Sequence, residues 1–325
     1  MTAEDLRKAF KRDGYVLLRG ALSAQEVAEI RATLPPVYDK LTLTPKRYMQ
    51  ARECLAVPPV YRLMAHPKII EACRRILGED LVYVNDLVVQ RNVIPVGDNP
   101  PHLDCQAEFR FNRDSRYLVD PNFLFAKVGV YLQDNTEDYA GGIDIYPRGH
   151  RWVGNGLFFS YQFYKRVLRR MFDRGMKLLD TKAGDVLIFD SRLPHRSTAA
   201  TKLGQNNYQD SDDGAAEVPE ERAKYVVYWE VARQGDEVHF VACNKARARK
   251  EEMKRPVGAY RPRCSYLGLV YPDDYPPELV EKLDVEGVKV FSLTREEADP
   301  WLAAFKEGAG EALAAESDGK AVPPQ

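Results

Sequence analysis

Histidine is scarce in this sequence, with five among 325 residues, and cysteine is no commoner at five. The cysteines (Cys54, Cys73, Cys105, Cys243 and Cys264) are scattered and form no Cys-x-x-Cys pair. That spacing excludes a zinc ribbon or a disulfide framework and points to reduced thiols and a cytoplasmic location. Cys105 adjoins Asp104, where a small semi-apolar filler fits better than a redox role. An excess of one charge is missing too: 47 basic against 48 acidic residues leave a net charge of -1, so no whole-chain field favours nucleic acid. No stretch approaches the ~18 consecutive apolar residues of a membrane span. The opening Met1-Thr2-Ala3-Glu4-Asp5 lacks a basic region followed by an apolar core, so no secretion signal is expected. Internal repeats and regular strand–helix alternation are absent, and the latter argues against a doubly wound sheet.

What is present is enough apolar material, 45% of residues, to bury a sizeable core. The first third reads as helical. Thr2 with Asp5 resembles a capping box opening a short helix that stops at Gly14, and Tyr15-Val16-Leu17-Leu18 reads as a strand. Ser23 with Glu26 is a second capping box, with Leu22 and Val27 at staple spacing. Val27, Ile30 and Leu34 mark one face of that helix, and Pro35-Pro36 is expected to end it. A third helix is expected from about Pro67, with Ile69, Ile70, Cys73, Ile76 and Leu77 inward and Gly78 as its stop.

From Leu81 the texture changes to strands rich in β-branched and aromatic residues: Val82 to Gln90, Phe123 to Leu132, Ile143 to Tyr146, Val186 to Phe189, Tyr225 to Val231 and Val238 to Val241. The expected fold is therefore mainly β with flanking α, an antiparallel barrel or sandwich. Two stretches interrupt it. Tyr161 to Arg174 reads as a helix with Tyr164, Val167, Leu168 and Met171 on one face and Lys165, Arg166, Arg169, Arg170 and Arg174 on the other. That basic face is either solvated or a site for an anionic substrate group. Leu203 to Glu221 is polar, and is either a lid or a plain surface excursion. The domain expectation is one unit over 1–310, with a helical part at 1–80, a β core at about 81–245, an extension at 246–310, and a disordered tail at 311–325.

The chemistry is carried by His102-Leu103-Asp104 and by His195, which follows the short apolar strand in Gly184-Asp185-Val186-Leu187-Ile188-Phe189. In an extended segment His102 and Asp104 point the same way, so both can reach one metal. Two imidazoles and one carboxylate form the facial triad that holds Fe(II) and leaves coordination positions open for oxygen chemistry. His66 reads as a helix opener, His239 as a wall residue, and His150 as the rival ligand ranked below His195. Tyr131, Trp152, Trp229 and Phe111 read as core.

The chain resembles the phytanoyl-CoA dioxygenase family of Fe(II)/2-oxoglutarate oxygenases. Phe10 to Gly20 followed by Leu22-Ser23 is similar to that family's opening, and His102-Leu103-Asp104 to its first metal motif. Gly141 to His150 resembles its mid-domain turn and strand, and Gly184 to Ser197 its second metal segment, ending in His-x-Ser. The resemblance spans roughly residues 5 to 231 and implies a double-stranded β-helix, a cupin-like jelly roll whose open mouth holds the metal. It implies His102, Asp104 and His195 as iron ligands, with 2-oxoglutarate and O2 as co-substrates. It further implies an arginine at the start of the strand after the distal histidine, pairing bidentately with the far carboxylate of 2-oxoglutarate. Arg222 stands in that place, farther from the histidine than is usual. Leu203–Glu221 accounts for the gap if it is an insertion, and Lys202, Arg196 and Lys224 are the rival cations. Ser197 matches the family's serine two past the histidine, and Gln90 is a candidate for the near carboxylate. Phe109, Arg110 and Arg113, just past Asp104, are the substrate-contact candidates. Halogenating members replace the aspartate with a small residue, so Asp104 favours an oxygenase.

The expected function is oxidation of an unactivated C–H bond of a small polar molecule by hydroxylation, with desaturation or ring closure as alternatives that use the same ligands, and no general base. No nucleic-acid or membrane partner is expected. The alternative is a non-catalytic jelly roll that binds metal or ligand, or a cupin-like isomerase; Arg222 and Ser197 favour the oxygenase.

Overall fold

A computed structural model describes residues 3–40, 48–91, 101–104, 124–135, 141–154, 169–198, 223–235 and 272–291. Helix α1 (Ala3–Asp13) leads into β1 (Tyr15–Leu18), then α2 (Ala24–Tyr38). The Ser23/Glu26 capping box forms as expected: the Ser23 side chain accepts the Glu26 N–H, and the Glu26 carboxylate accepts the Ser23 N–H at 2.7 Å. Pro35-Pro36 does not end α2, which runs through both to Tyr38. Each proline removes an N–H donor, and burial of the last turn offsets that loss. Leu34 and Tyr38 are fully buried, the Tyr38 hydroxyl donates to Val89 O at 2.8 Å, and the Asp39 N–H bonds back to Pro35 O at 3.0 Å.

Strand β2 (Tyr48–Met49) and the short turns α3 (Ala51–Cys54) and α4 (Pro58–Tyr61) precede α5 (Pro67–Leu77), whose five expected inward residues are all buried. Burial raises the thiols of Cys54 and Cys73, the latter to about 12, and both are free.

The strands then follow in order: β3 (Leu81–Arg91), β4 (Phe125–Tyr131), β5 (Ile143–Ile145), β6 (Lys177–Leu179), β7 (Val186–Asp190), β8 (His195–Ser197), β9 (Tyr225–Arg233) and β10 (Lys289–Phe291). They form a larger sheet in the order β1-β7-β4-β9-β3-β10, with β2 also on β3, and a smaller sheet β6-β5-β8. Every pairing is antiparallel except β10 on β3, which is parallel. This is the jelly-roll arrangement of strands.

Period-two alternation divides the larger sheet's residues between two cores. Ala126, Val128, Val130, Val186, Ile188, Val227 and Trp229 pack against α1, α2 and α5. Tyr131, Leu187, Phe189, Val226 and Tyr228 pack against Ile143 and Ile145 of the smaller sheet. The molecule is thus layered as helices, large sheet and small sheet, with the candidate site between the sheets.

Some expectations fall elsewhere. The helix Arg169–Gly175 buries Phe172 against Tyr146, with ring centroids 4.9 Å apart, and Met171 is only half-buried. Arg170 and Arg174 are exposed. Trp152, expected in the core, is 38% exposed, whereas Tyr131 and Trp229 are fully buried. Phe111, His239, Cys105, Cys243, Cys264, the strand Val238–Val241, the excursion Leu203–Glu221 and the tail 311–325 lie outside the described residues. No described helix is long and apolar enough to cross a membrane.

Candidate metal centre

His195 opens β8, and the turn before it is closely specified. The Leu193 N–H bonds to Asp190 O at 2.8 Å, while the Ser191 N–H reaches Phe125 O at 3.0 Å. Asp190 and Arg192, both buried, form a bidentate pair with contacts of 2.7 and 2.8 Å, and the Arg192 N–H also donates to Asp190 Oδ1. Gly149 lies against Pro194: a Cβ there would come within 2.4 Å of Pro194 Cδ. The motif Pro147-Arg148-Gly149-His150 therefore needs its glycine to seat the residue that leads into His195.

The chain returns to this strand end at His102. The two histidines exchange backbone hydrogen bonds, His102 N–H to His195 O at 2.8 Å and His195 N–H to His102 O at 3.0 Å, forming an isolated antiparallel bridge. Their rings lie 4.3 Å apart. Asp104, two residues on, brings its Oδ1 to 3.6 Å from His195 Nε2. One ligand atom from each of His102, Asp104 and His195 falls within 4.8 Å of the others. His195 Nδ1 sits 2.9 Å from the Leu193 carbonyl oxygen, which can only accept, so Nδ1 carries the proton and Nε2 offers its lone pair to the cluster. Phe189 packs on the His195 ring at 4.9 Å and fixes its plane. Two neutral imidazole nitrogens and a carboxylate, grouped on one side and oriented by backbone and aromatic contacts, fit Fe(II).

Of the other expected residues, Ser197 lies two past His195 and so on the same face of β8; the pair oppose Ile143 and Ile145. Gln90 opposes Val226, which places it on the inner face with Tyr131. Arg196 points away, donating to Asp144 Oδ2 at 3.0 Å and pairing with Asp173. Lys224 Nζ donates to Asp134 O at 2.8 Å and its stem covers Gly141; burial, then the charge of Arg31, lowers its pKa. Of the three rival cations, Arg196 and Lys224 are engaged outside the triad. Arg222, Lys202, Phe109, Arg110 and Arg113 lie outside the described residues. His150 is not in the cluster: it is buried, with Nε2 3.1 Å from Lys11 O.

The wall beside the triad holds residues the motif reading missed. Lys127 of β4 faces inward, and its Nζ lies 3.5 Å from Asp104 Oδ1 and 5.6 Å from the Tyr228 ring centre. Across the sheet it stands opposite Glu230 of β9, which is 1% exposed. The Tyr228 and Tyr131 hydroxyls are 3.3 Å apart, and burial, then the proximity of Tyr228, raises the pKa of Tyr131. Gly129 makes room for this wall, since a Cβ there would lie 2.5 Å from the Tyr228 ring. A lone lysine in Phe125-Ala126-Lys127-Val128-Gly129-Val130-Tyr131 and a lone glutamate in Tyr225-Val226-Val227-Tyr228-Trp229-Glu230-Val231 are the signals that sequence reading passed over.

Among solved structures, the chain is similar to the non-haem alpha-ketoglutarate-dependent epimerase SnoN from nogalamycin biosynthesis, in its complex with Fe3+, alpha-ketoglutarate and nogalamycin RO. That likeness has 19% identity over 74% of this chain and 88% of the other, with a TM-score of 0.47. It is also similar to the apo form of the non-haem monooxygenase ThoJ, at 17% identity over 70% and 77% of the two chains, with a TM-score of 0.48. No curated protein matches the sequence. The phytanoyl-CoA dioxygenase family model matches residues 10–202, more than half of the 325-residue sequence and including His102, Asp104 and His195. The chain belongs to the phytanoyl-CoA dioxygenase family, oxygenases that use Fe(II), 2-oxoglutarate and O2.

Proposed function

We propose that this oxidoreductase hydroxylates an unactivated C–H bond of a small polar molecule in secondary metabolism, with His102, Asp104 and His195 as its iron ligands. The observation that carries the reading is the convergence of these three side chains, from two segments far apart in sequence, to within 4.8 Å. Bound there, Fe(II) with 2-oxoglutarate and O2 supplies the oxidant, and succinate and CO2 are the co-products.

The chain's own residues hold and shape. His102 and Asp104 present two ligands from one extended stretch, and His195 presents the third with its tautomer set by Leu193 O. Arg222 binds the far carboxylate of 2-oxoglutarate, supported by the engagement of Arg196 and Lys224 elsewhere. Ser197, on the His195 side of β8, is its hydrogen-bond partner, and Gln90 contacts the near carboxylate. Phe109, Arg110 and Arg113 contact the substrate. No side chain is assigned a proton-transfer step. One oxygenase domain spans 1–310, with 81–245 as its jelly-roll core.

The test is succinate release and O2 uptake on mixing the purified protein with Fe(II) and 2-oxoglutarate in air, without further substrate. Slow turnover that vanishes in His102→Ala supports the reading. A protein that only binds metal, or a cupin-like isomerase, gives neither signal.

A further inference from the structure

Lys127 is a cation placed on the carboxylate that is to hold another cation. Its Nζ approaches Asp104 Oδ1, the same oxygen that lies 3.6 Å from His195 Nε2. The contact is sheltered: the Lys127 and Asp104 side chains are 14% and 13% exposed, so solvent screens them poorly. It is also built into the sheet. Lys127 is fixed in register between Phe189, which packs on His195, and Glu230, and its Nζ lies over the Tyr228 ring. A ligand set of two neutral imidazoles and one carboxylate carries one negative charge; over those three side chains and Lys127 the sum is zero. Any divalent ion held by Asp104 Oδ1 and His195 Nε2 shares its oxygen with the ammonium.

We propose that Lys127 is a positioning residue that acts as counter-ion to Asp104 and makes divalent-metal binding depend on the dianionic co-substrate. The proposal rests on the iron-ligand reading above. Metal alone enters against the like charge of Lys127. The two carboxylates of 2-oxoglutarate offset the excess positive charge of metal plus ammonium, so each ligand tightens the other by the same factor. Glu230, facing Lys127 across the β4–β9 pair, gives the ammonium a second anion towards which it can lean.

The experiment is calorimetric titration of the full chain with Co(II), with and without 2-oxoglutarate, for the wild type, Lys127→Met and Lys127→Arg. In the wild type, 2-oxoglutarate is expected to tighten Co(II) by about tenfold or more, within the usual range of coupling between two sites. Lys127→Met is expected to bind Co(II) alone about tenfold more tightly and to show a coupling smaller by that same factor, the remainder being direct chelation, while Lys127→Arg keeps the full coupling. A wild type that binds Co(II) equally with and without 2-oxoglutarate overturns the proposal without recourse to any variant. So does a folded Lys127→Met that binds Co(II) alone no better than wild type, because the lysine then only props the aspartate. A wild type that binds no Co(II), or a His102→Ala variant that binds it equally well, overturns the iron-ligand reading along with the proposal. A wild-type response retained in Lys127→Met overturns the proposal alone.

Discussion

The backbones of His102 and His195 hold each other through paired hydrogen bonds of 2.8 and 3.0 Å, although 93 positions separate the two residues. The bridge fixes both imidazoles from the main chain and sets Asp104 one alternation farther along. Side-chain truncation at His102 should therefore remove a ligand without dismantling the support. His102→Ala is expected to keep the thermal midpoint in the absence of metal and to lose Co(II) affinity by at least about 100-fold, read by melting curves and calorimetry.

The turn before His195 depends on the buried Asp190–Arg192 pair. Arg192→Met leaves the Asp190 carboxylate, 2% exposed, without that cation. The expected loss of stability is about 3–5 kcal/mol in chemical denaturation. Asp190→Leu combined with Arg192→Met should cost less than the single change, because no buried charge is left over.

Gly129 is the space beneath Tyr228. Gly129→Ala forces that ring, and with it the Tyr131 contact and the surface under Lys127, to shift. The expected cost is about 1–3 kcal/mol by denaturation, with weakened metal binding. Gly20→Ala is the control: it has a positive φ of 56° but nothing within 4 Å, so it should destabilise through backbone strain and leave metal binding unchanged.

His150 gives a pH dependence with a definite sign. Burial holds its pKa below the ordinary 6.5, so the unfolded chain takes up a proton more readily than the folded one. Its neutral form is favoured in the folded state above pH 6.5, and that contribution is lost as pH falls through 6.5 towards the lowered folded value. Melting curves of wild type and His150→Asn between pH 8 and 5 should therefore converge towards acid. Curves that stay parallel would remove the burial argument.

Much of this was legible in the sequence where local chemistry and tertiary packing agree. Tyr15–Leu18 is a strand and Ser23/Glu26 a capping box as read, and α5 buries the residues its periodicity marks. Both metal segments are visible because His-x-Asp closes a Pro-rich loop and Pro-His follows recognisable strand texture. The failures have physical causes. Pro35-Pro36 is a stop by local rules, but burial of Leu34 and Tyr38 outweighs two lost donors. Lys127 and Glu230 went unread because a register between strands about a hundred residues apart is not a local property. Trp152 looked like core by residue type, and type alone does not place a side chain.

Arg222 carries the co-substrate assignment. Arg222→Ala is expected to raise the 2-oxoglutarate KM by about 10-fold or more while Co(II) affinity without 2-oxoglutarate stays unchanged, the loss expected for a bidentate charge-assisted contact. Unchanged kinetics would pass the role to Lys202, Arg196 or Lys224.

The central claim is that His102, Asp104 and His195 hold iron for 2-oxoglutarate to chelate. Anaerobic addition of Fe(II) and then 2-oxoglutarate, followed by visible absorption, tests it directly. The expected result is a charge-transfer band that needs both additions and disappears in His102→Ala and Asp104→Ala. No band in the wild type, or the same band in both variants, contradicts the account.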